Sequence, residues 1–207
     1  MAWCLQTQQP LIQTDLQITN DLHQTALHSS PFLIALMFGG YYLGEHVIFA
    51  LGVVFGLYFI SKRRWPELSM VVVGWGSELG LLFLSSPYFH RPRPRFDVML
   101  WSQTPGSSFP SGHSISAVVC YGLLAYLLVP RLSSHVWKAA VIVGAVVIIL
   151  FIGYSRVFLG DHYPTDIVAG YGIGLAWGGL VYTTVELIAA RRGKQAPGVP
   201  TAIGDDI

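Results

Sequence analysis

Long apolar stretches separated by short polar turns dominate the chain between residues 31 and 190. A transmembrane helix needs about 20 mostly apolar residues, and the pattern predicts an all-α fold: a polytopic transmembrane bundle of about five spans plus an N-terminal interfacial segment. The predicted spans cover 45–61, 68–86, 114–130, 138–154 and 164–190. Residues 31–43 are also apolar, but Gly39, Gly40 and Gly44 interrupt the run. We therefore predict an interfacial or re-entrant piece at 31–43, ahead of the first full span.

The two ends of the chain are polar and differ from its apolar middle. Residues 1–30 contain no Lys or Arg and are predicted to form an external or interfacial segment with an amphipathic helix at 15–28. The apolar side of that helix would carry Leu16, Ile18, Leu22 and Leu27. Residues 191–207 lack an apolar pattern and predict a disordered cytoplasmic tail. This leaves residues 31–190 as one membrane domain.

The composition agrees with a membrane protein and excludes other classes. Of 207 residues, 53% are hydrophobic and only 11% are charged, whereas soluble domains carry about 25% charged residues. The formal net charge of +1 and the lack of a basic face argue against a nucleic-acid partner. Cys4 and Cys120 are too few for a disulfide framework or a cysteine-based metal cluster.

The basic residues fall into two groups by predicted side of the membrane. Eight of them lie on the side that the positive-inside rule makes cytoplasmic, namely Lys62, Arg63, Arg64, Arg131, Lys138, Arg191, Arg192 and Lys194. The other four lie on the opposite, external side, namely Arg91, Arg93, Arg95 and Arg156. Because the orientation rule disfavours basic residues there, the second group predicts an anion site.

The external loops hold further candidate chemistry. The stretch 89–95 packs three arginines onto an alternating-proline backbone. Ser111 and Gly112 then precede the third span, and a helix N-terminus with a small residue suits phosphate. His113 beside them is placed to give or take a proton. A Ser-Gly pair before a helix is more often an ordinary cap, but here arginines and a second histidine face the same side.

A second group of polar residues lies between the fourth and fifth spans. Arg156 offers a permanent planar cation suited to phosphate. His162 and Asp166 are four residues apart and would project from one face of a helix start, where Pro164 between them is tolerated. A carboxylate there can hold the imidazole in one tautomer and stabilise its charge. The simpler alternative is that these residues only anchor a membrane segment at the interface.

Glycines also recur in the fifth span. Gly170, Gly174 and Gly178 are spaced four apart, so they share one helix face. Small residues on one face allow another helix to approach closely. The pattern predicts a helix-packing surface.

The two polar groups resemble motifs of the type 2 phosphatidic acid phosphatase superfamily, which also holds vanadium haloperoxidases and bacterial acid phosphatases. Pro110-Ser-Gly-His113 is similar to its second signature. Ser155-Arg156, followed by five residues, His162, three residues and Asp166, is similar to its third. The resemblance covers about residues 15–190.

The first signature of that family is only half present. It consists of Lys, six residues and Arg-Pro; Arg93 and Pro94 match its end, but Ser86 stands at the Lys position. Loss of that cation could cost a few kcal/mol of transition-state stabilisation, and Arg91 or His90 would fill the space. Membrane members usually have six spans. The missing first span would place the N-terminus outside.

The resemblance implies a role for each candidate residue. His162 would be the nucleophile that forms a phosphohistidine, with Asp166 orienting it. His113 would be the general acid for the leaving group and later the base for water. The phosphate oxygens would be held by Arg93, Arg156, Ser111 and the Gly112 backbone, with Arg91 as a further candidate. No metal or other cofactor is needed.

The predicted function is a metal-independent membrane phosphatase with its site on the external face of the cell membrane. The short loop between the first two signatures leaves no room for a soluble lid, which favours a substrate whose tail stays in the bilayer. Candidates are undecaprenyl pyrophosphate, phosphatidylglycerol phosphate and phosphatidic acid. Two alternatives remain open: a lipid-phosphate-binding protein weakened by the change at Ser86, and a lipid phosphotransferase.

Overall fold

The computed structural model describes residues 10–85, 89–101, 103 and 106–191, and every regular element among them is helical. The helices are α1 (Pro10–Leu27), α2 (Pro31–Tyr42), α3 (Ile48–Ser61), α4 (Trp65–Ser85), α5 (Gly112–Leu128), α6 (His135–Phe158) and α7 (Pro164–Arg191). A π-helical turn (Leu43–Val47) joins α2 to α3, and a 3-10 turn (Val129–Arg131) follows α5. The all-α prediction is confirmed. Residues 192–207 of the predicted tail lie outside the described part of the chain.

Several of the helices are long and apolar enough to cross a membrane. In the described residues these are Pro31–Ser61, Gly112–Arg131, His135–Phe158 and Pro164–Arg191. The remaining predicted span, 68–86, corresponds to the 21-residue α4. The first segment has 31 residues, which at 1.5 Å per residue makes it about 46 Å long. Since the hydrocarbon core is about 30 Å thick, one end of this segment extends beyond it.

The predicted interruption near residues 39–44 is wrong, because the backbone stays helical there and only widens into the π turn. Gly40 and Gly44 instead face α6. A Cβ on Gly40 would lie 2.4 Å from Ser155 Oγ, and one on Gly44 would lie 2.9 Å from Ile152 Cγ2. These glycines therefore permit close approach of two helices and do not end one.

Helix α5 lies at the centre of the bundle. Half of the apolar stretch in Gly112–Arg131 is buried, compared with 11–22% in the other three candidate spans. Its side chains contribute to two apolar clusters: Ala117, Cys120 and Tyr121 pack with Ile152 of α6, while Leu123 packs with Met70 of α4. The central position of α5 fixes the residues at its N-terminus, Gly112 and His113, relative to all the surrounding helices.

Helix α1 exists as predicted, but it buries a different face. Asp15, Thr19 and His23 are each at most 2% exposed, whereas Ile18, from the predicted apolar side, is 40% exposed. The reason is what the helix packs against: His23 stacks on Phe96 with ring centroids 3.6 Å apart. The inner face of α1 meets polar loops at Asp15 and His23 and an apolar cluster at Leu22 and Ala26, so hydrophobicity alone did not reveal its orientation.

The glycine face of α7 packs against α5 as predicted. A Cβ on Gly170 would lie 2.7 Å from Ser114 Cβ and 2.8 Å from the Ser111 carbonyl oxygen, and one on Gly174 would lie 2.8 Å from Val118 Cβ. Gly178 differs, because the three atoms nearest to its Cβ position all belong to Tyr182 of the same helix. Gly170 thus lets α7 touch the backbone at the start of α5.

We predict that Gly170→Ala destabilises the protein by about 1–3 kcal/mol, the usual range for overpacking, because the new methyl group would meet backbone. Gly172→Ala is the matched control, since it lies on the same helix with nothing within 4 Å of its Cβ position. Thermal unfolding in detergent measures both. Equal melting temperatures for the two variants would contradict this packing role.

Candidate active site

The candidate site forms where the loop before α5 meets the loop between α6 and α7. Two hydrogen bonds join the two loops, and a third closes the loop before α5 on itself. The Ser108 amide donates to the Arg91 carbonyl (2.8 Å), the Ser111 amide donates to the Asp166 carbonyl (3.1 Å), and His162 donates to the Ser108 carbonyl (2.8 Å). Residues far apart in sequence are thereby fixed through backbone atoms.

His162 is 2% exposed and has one nitrogen held by the protein. Its Nδ1 lies 2.8 Å from the Ser108 carbonyl oxygen and 3.6 Å from Asp166 Oδ2. A carbonyl oxygen only accepts, so Nδ1 carries the proton and Nε2 carries the lone pair in the neutral ring. The Ser108 carbonyl is thus the nearer tautomer-fixing group, with the carboxylate just beyond hydrogen-bond distance.

Asp166 is fully buried and held at both oxygens. Oδ1 accepts from Arg91 Nη1 at 2.6 Å, and Oδ2 accepts from the Tyr163 amide at 2.9 Å. The Arg91 guanidinium also lies 4.1 Å from the centroid of the Tyr163 ring. Burial raises the pKa of the Tyr163 phenol above its ordinary value, so the ring stays neutral beneath the cation. Because both of its oxygens are held, the Asp166 carboxylate has a fixed orientation toward His162.

Arg156 is fully buried and lacks hydrogen-bond partners at all three guanidinium nitrogens within the described residues. Its guanidinium carbon lies 4.3 Å from the centroid of the Tyr41 ring and 5.6 Å from the Trp101 ring. The nearest carboxylate, Asp161 Oδ2, is 3.5 Å from Nη1. Aromatic faces attract a cation without using its N–H groups, so these donors remain available.

Arg93 lies on the other side of Asp161. Its Nη1 donates to Asp161 Oδ1 at 2.7 Å and lies 3.3 Å from His162 Nε2. Nε of Arg93 and the hydroxyl of Ser111 are buried and have no hydrogen-bond partner in the part of the chain that the structure describes. Two cations and a hydroxyl with unused donors beside an available imidazole nitrogen suit an anion with several oxygens.

His113 faces His162 across the site. The two ring centroids are 6.4 Å apart, and His113 Nε2 lies 3.4 Å from the Glu45 carboxylate of the π turn. This separation leaves room for a reacting group between the imidazoles. One histidine can therefore attack while the other handles a proton.

The same residues offer a possible set of metal ligands. Donor atoms of His113, Asp161 and His162 lie within 4.8 Å of one another. Arg93 and Arg156, however, place two positive charges next to Asp161. The charge balance favours an anion over a cation in this space.

An apolar cavity of about 600 Å³ ends at the site. Glu45 and His113 form its polar end, and its walls come from α3, α4 and α5, including Ile48, Gly52, Val71 and Trp75. Phe49 and Val53 on its rim are 74% and 46% exposed, so the cavity opens at the apolar outer surface. A long apolar group can lie there with its polar end at His113.

Comparison with known proteins agrees with this geometry. Residues 77–188 match the family model of the PAP2 superfamily. Phosphatidylglycerophosphatase B of Bacillus subtilis (strain 168) is 36% identical over 150 residues, which cover 70% of this chain and 71% of that protein. The chain belongs to the PAP2 superfamily. The predicted family is thereby confirmed, and with its long apolar helices this PAP2 protein is a multi-pass membrane phosphatase.

The chain is also similar to a solved structure and to a longer relative. The crystal structure of a transmembrane PAP2-type phosphatidylglycerolphosphate phosphatase from Bacillus subtilis shares the fold with a TM-score of 0.74 and 33% identity, covering 89% of this chain and 90% of that chain. Lipid A 1-phosphatase of Rhizobium etli is 37% identical over 116 residues, or 52% of this chain and 44% of that protein. The chain thus spans less than half of that second relative.

Most of the predicted site residues of this PAP2 protein lie together around one space. They are His113, His162, Asp166, Arg93, Arg156, Ser111 and Gly112. Arg91 is the exception, because its guanidinium is engaged by Asp15 and Asp166, 2.6 Å from each. Arg95 is exposed, and Ser86 lies outside the described residues.

Sequence reasoning missed three contributors to the site. Asp161 offered a signal that went unused, because it is a carboxylate next to His162 in the motif that also holds Arg156. Asp15 lies in a stretch without Lys or Arg, so an arginine partner had to come from another part of the chain. Tyr41 gave no signal, because an aromatic residue in an apolar run is ordinary.

We predict that Tyr41→Leu weakens phosphate binding by removing the aromatic face under Arg156. A cation–π contact of this kind contributes about 0.5–2 kcal/mol, which corresponds to roughly 2- to 30-fold in the inhibition constant of orthovanadate, a phosphate analogue. Tyr42→Leu is the matched control, since Tyr42 is 55% exposed on the same helix. The same inhibition constant in both variants would refute a role for the Tyr41 ring.

Proposed function

We propose that this PAP2 protein hydrolyses a lipid phosphate or pyrophosphate without a metal, through a phosphohistidine at His162. The observation that carries the proposal is the pairing of unused, buried Arg156 donors with the Nε2 lone pair of His162, across the site from His113, where an apolar cavity ends. A phosphate head group satisfies the donors, and the attached lipid tail fills the cavity.

In the first chemical step, the His162 Nε2 lone pair attacks phosphorus. A P–N bond forms, the bond from phosphorus to the leaving oxygen breaks, and His113 donates its proton to that oxygen. The imidazole becomes positively charged as it attacks. The Ser108 carbonyl and the Asp166 carboxylate on the Nδ1 side stabilise that charge.

In the second step, water attacks the phosphorus of the phosphohistidine. His113, now neutral, accepts a proton from the water as its oxygen bonds to phosphorus. The P–N bond breaks and its electron pair returns to His162, releasing inorganic phosphate and restoring the starting state. Both histidines thus act twice in one cycle.

The transition state in each step spreads negative charge over the equatorial phosphoryl oxygens. Arg156 and Arg93 supply planar N–H donors for these oxygens, and the Ser111 hydroxyl adds a third group. The backbone at Gly112 begins α5, where the first amides of a helix lack intrahelical partners. Preorganised donors of this type lower the barrier without having to reorganise during the reaction.

The apolar cavity supports a lipid substrate over a small phosphate ester. Its rim at the outer surface of α3 and α4 allows a tail to remain in the bilayer while the head group reaches the site. The two named relatives act on different lipids, so we keep undecaprenyl pyrophosphate, phosphatidylglycerol phosphate and phosphatidic acid as candidates. The basic residues on the opposite side support a site on the external face of the cell membrane.

We predict that purified protein in detergent releases phosphate from at least one of these lipids in the presence of EDTA, and that His162→Ala abolishes the release. The reason is that the variant lacks the attacking nitrogen. Phosphate release is measured colorimetrically, and folding of the variant is checked by thermal unfolding. Activity that depends on added metal, or that survives in His162→Ala, would refute the mechanism.

The same assay separates the two alternatives. A lipid-phosphate-binding protein would retain the lipid but release no phosphate. A phosphotransferase would consume more substrate than the phosphate it releases, because the phosphoryl group passes to a second lipid. Equal amounts of substrate consumed and phosphate released support hydrolysis.

A second prediction concerns His113 as proton donor. His113→Ala should lose far more activity on an alkyl phosphate than on p-nitrophenyl phosphate, whose leaving group departs without protonation. Comparing the two substrates on one variant removes any general loss of folded protein from the ratio. An equal loss on both would mean that His113 does not protonate the leaving group.

A further inference from the structure

Helix α1 inserts a buried carboxylate behind the site. Asp15 is 2% exposed, and its oxygens accept from the Thr165 amide at 3.1 Å, from the Thr165 hydroxyl and from Arg91 Nη2 at 2.6 Å. Thr165 lies in the first turn of α7, where amides lack intrahelical partners and a carboxylate is favourable. Asp15 thus joins α1 to α7 across 150 residues of sequence, from outside the family-matched residues 77–188.

Arg91 connects this carboxylate to the site. Nη2 bonds to Asp15, while Nη1 bonds to Asp166 at 2.6 Å and to the Thr165 hydroxyl at 2.7 Å. The planar guanidinium reaches two carboxylates at once in a fixed geometry, which a lysine ammonium does not reproduce. Arg91 therefore has no unused charge to offer a phosphate, in contrast to Arg156.

Arg91 also controls the second group beside the nucleophile. Its backbone carbonyl accepts from the Ser108 amide at 2.8 Å, and the Ser108 carbonyl accepts from His162 Nδ1 at 2.8 Å. Both groups that face Nδ1 are thus held by one residue. The Asp166 carboxylate is held by the side chain of Arg91, and the Ser108 carbonyl is held through its backbone.

We propose that Asp15 and Arg91 form a positioning pair that aligns and electrostatically tunes His162, so that the N-terminal helix is part of the catalytic apparatus. The proposal rests on the phosphohistidine function proposed above. Neither residue touches the substrate. Their effect passes through Asp166 and Ser108.

The net charge of Asp15, Arg91 and Asp166 together leads to a specific expectation for the protonation of His162. Asp15 and Asp166 contribute two negative charges and Arg91 one positive charge, a sum of −1. Replacing Asp15 by Asn leaves a neutral unit, which disfavours a protonated imidazole nearby. Replacing Arg91 by Gln leaves two negative charges, which favours one. The other charged or titratable groups that face His162 are Arg93, Asp161, Arg156 and His113.

The test is the pH–rate profile of phosphate release for the wild type, Asp15→Asn and Arg91→Gln. The attacking imidazole must be neutral, so activity falls on the acidic side. We expect the acidic limb to move to lower pH in Asp15→Asn and to higher pH in Arg91→Gln. The maximum rate of both variants should fall by about 10- to 100-fold, because misalignment of a reacting group lowers the rate by such factors.

Three further variants separate positioning from folding. Asp21→Asn is the matched control, since Asp21 is exposed on the same helix, and it should match the wild type. Asp15→Glu keeps the charge and should leave the limb in place. Arg91→Lys keeps the charge but cannot bond to both carboxylates in the same geometry, so its maximum rate should fall while the acidic side of its pH–rate profile stays in place. The same variant tests the proposal if Asp15→Asn does not fold.

The outcomes distinguish this proposal from the function itself. The positioning pair would be overturned if the Asp15 and Arg91 variants had the maximum rate and the pH–rate profile of the wild type. If His162→Ala still abolished phosphate release in that case, the phosphatase function would stand. Limbs that move in the same direction in Asp15→Asn and Arg91→Gln would also overturn it. Lack of turnover by the wild type on every lipid would instead overturn the proposed function.

Discussion

The buried positive charge of Arg156 is the constraint on which the site depends. Removing a guanidinium fully from water costs on the order of several kcal/mol. The Asp161 carboxylate at 3.5 Å and the Tyr41 ring at 4.3 Å offset part of that cost but leave its N–H groups without acceptors. In the function that we propose, a phosphate would supply both the missing charge and the missing acceptors. The cost of burying Arg156 would then be offset when the substrate binds.

Keeping such a charge next to His162, the proposed nucleophile, requires the backbone itself to be held. The bonds that do so run from one loop to the other, from Ser108 to His162 and from Ser111 to Asp166. They form only because α7 comes very close to the start of α5, where Gly170 has no side chain to keep them apart. A helix-packing contact near the start of α7 therefore helps to set the geometry of the polar site.

The residues that meet around the candidate site were predictable from the sequence because the proposed chemistry restricts both residue type and spacing. His162 and Asp166 had to start a helix, and His113 had to follow a small residue. The family resemblance singled out Arg93, but the local sequence gives no physical reason for the choice, since the alternating prolines give Arg91 and Arg93 the same local environment. Their tertiary contacts distinguish them: Arg91 pairs with Asp166, whereas Arg93 pairs with Asp161 and keeps an Nε donor without a partner in the described residues. The glycines of α2 were likewise ambiguous, because a helix breaker and a close contact use the same residue.

The polar inner face of α1 completes an electrostatic arrangement around one imidazole. On the Nδ1 side of His162 lie the Ser108 carbonyl and the Asp166 carboxylate, backed by Asp15 and Arg91. On the Nε2 side lie the cation Arg93, 3.3 Å away, and the Asp161 carboxylate, 3.6 Å away. The negative groups at Nδ1 favour the proton on that nitrogen, which leaves the lone pair on Nε2. Helix α1 thus contributes a charge to this arrangement through Asp15, while Leu22 of the same helix packs against the apolar cluster of Ala26, Met37 and Phe158.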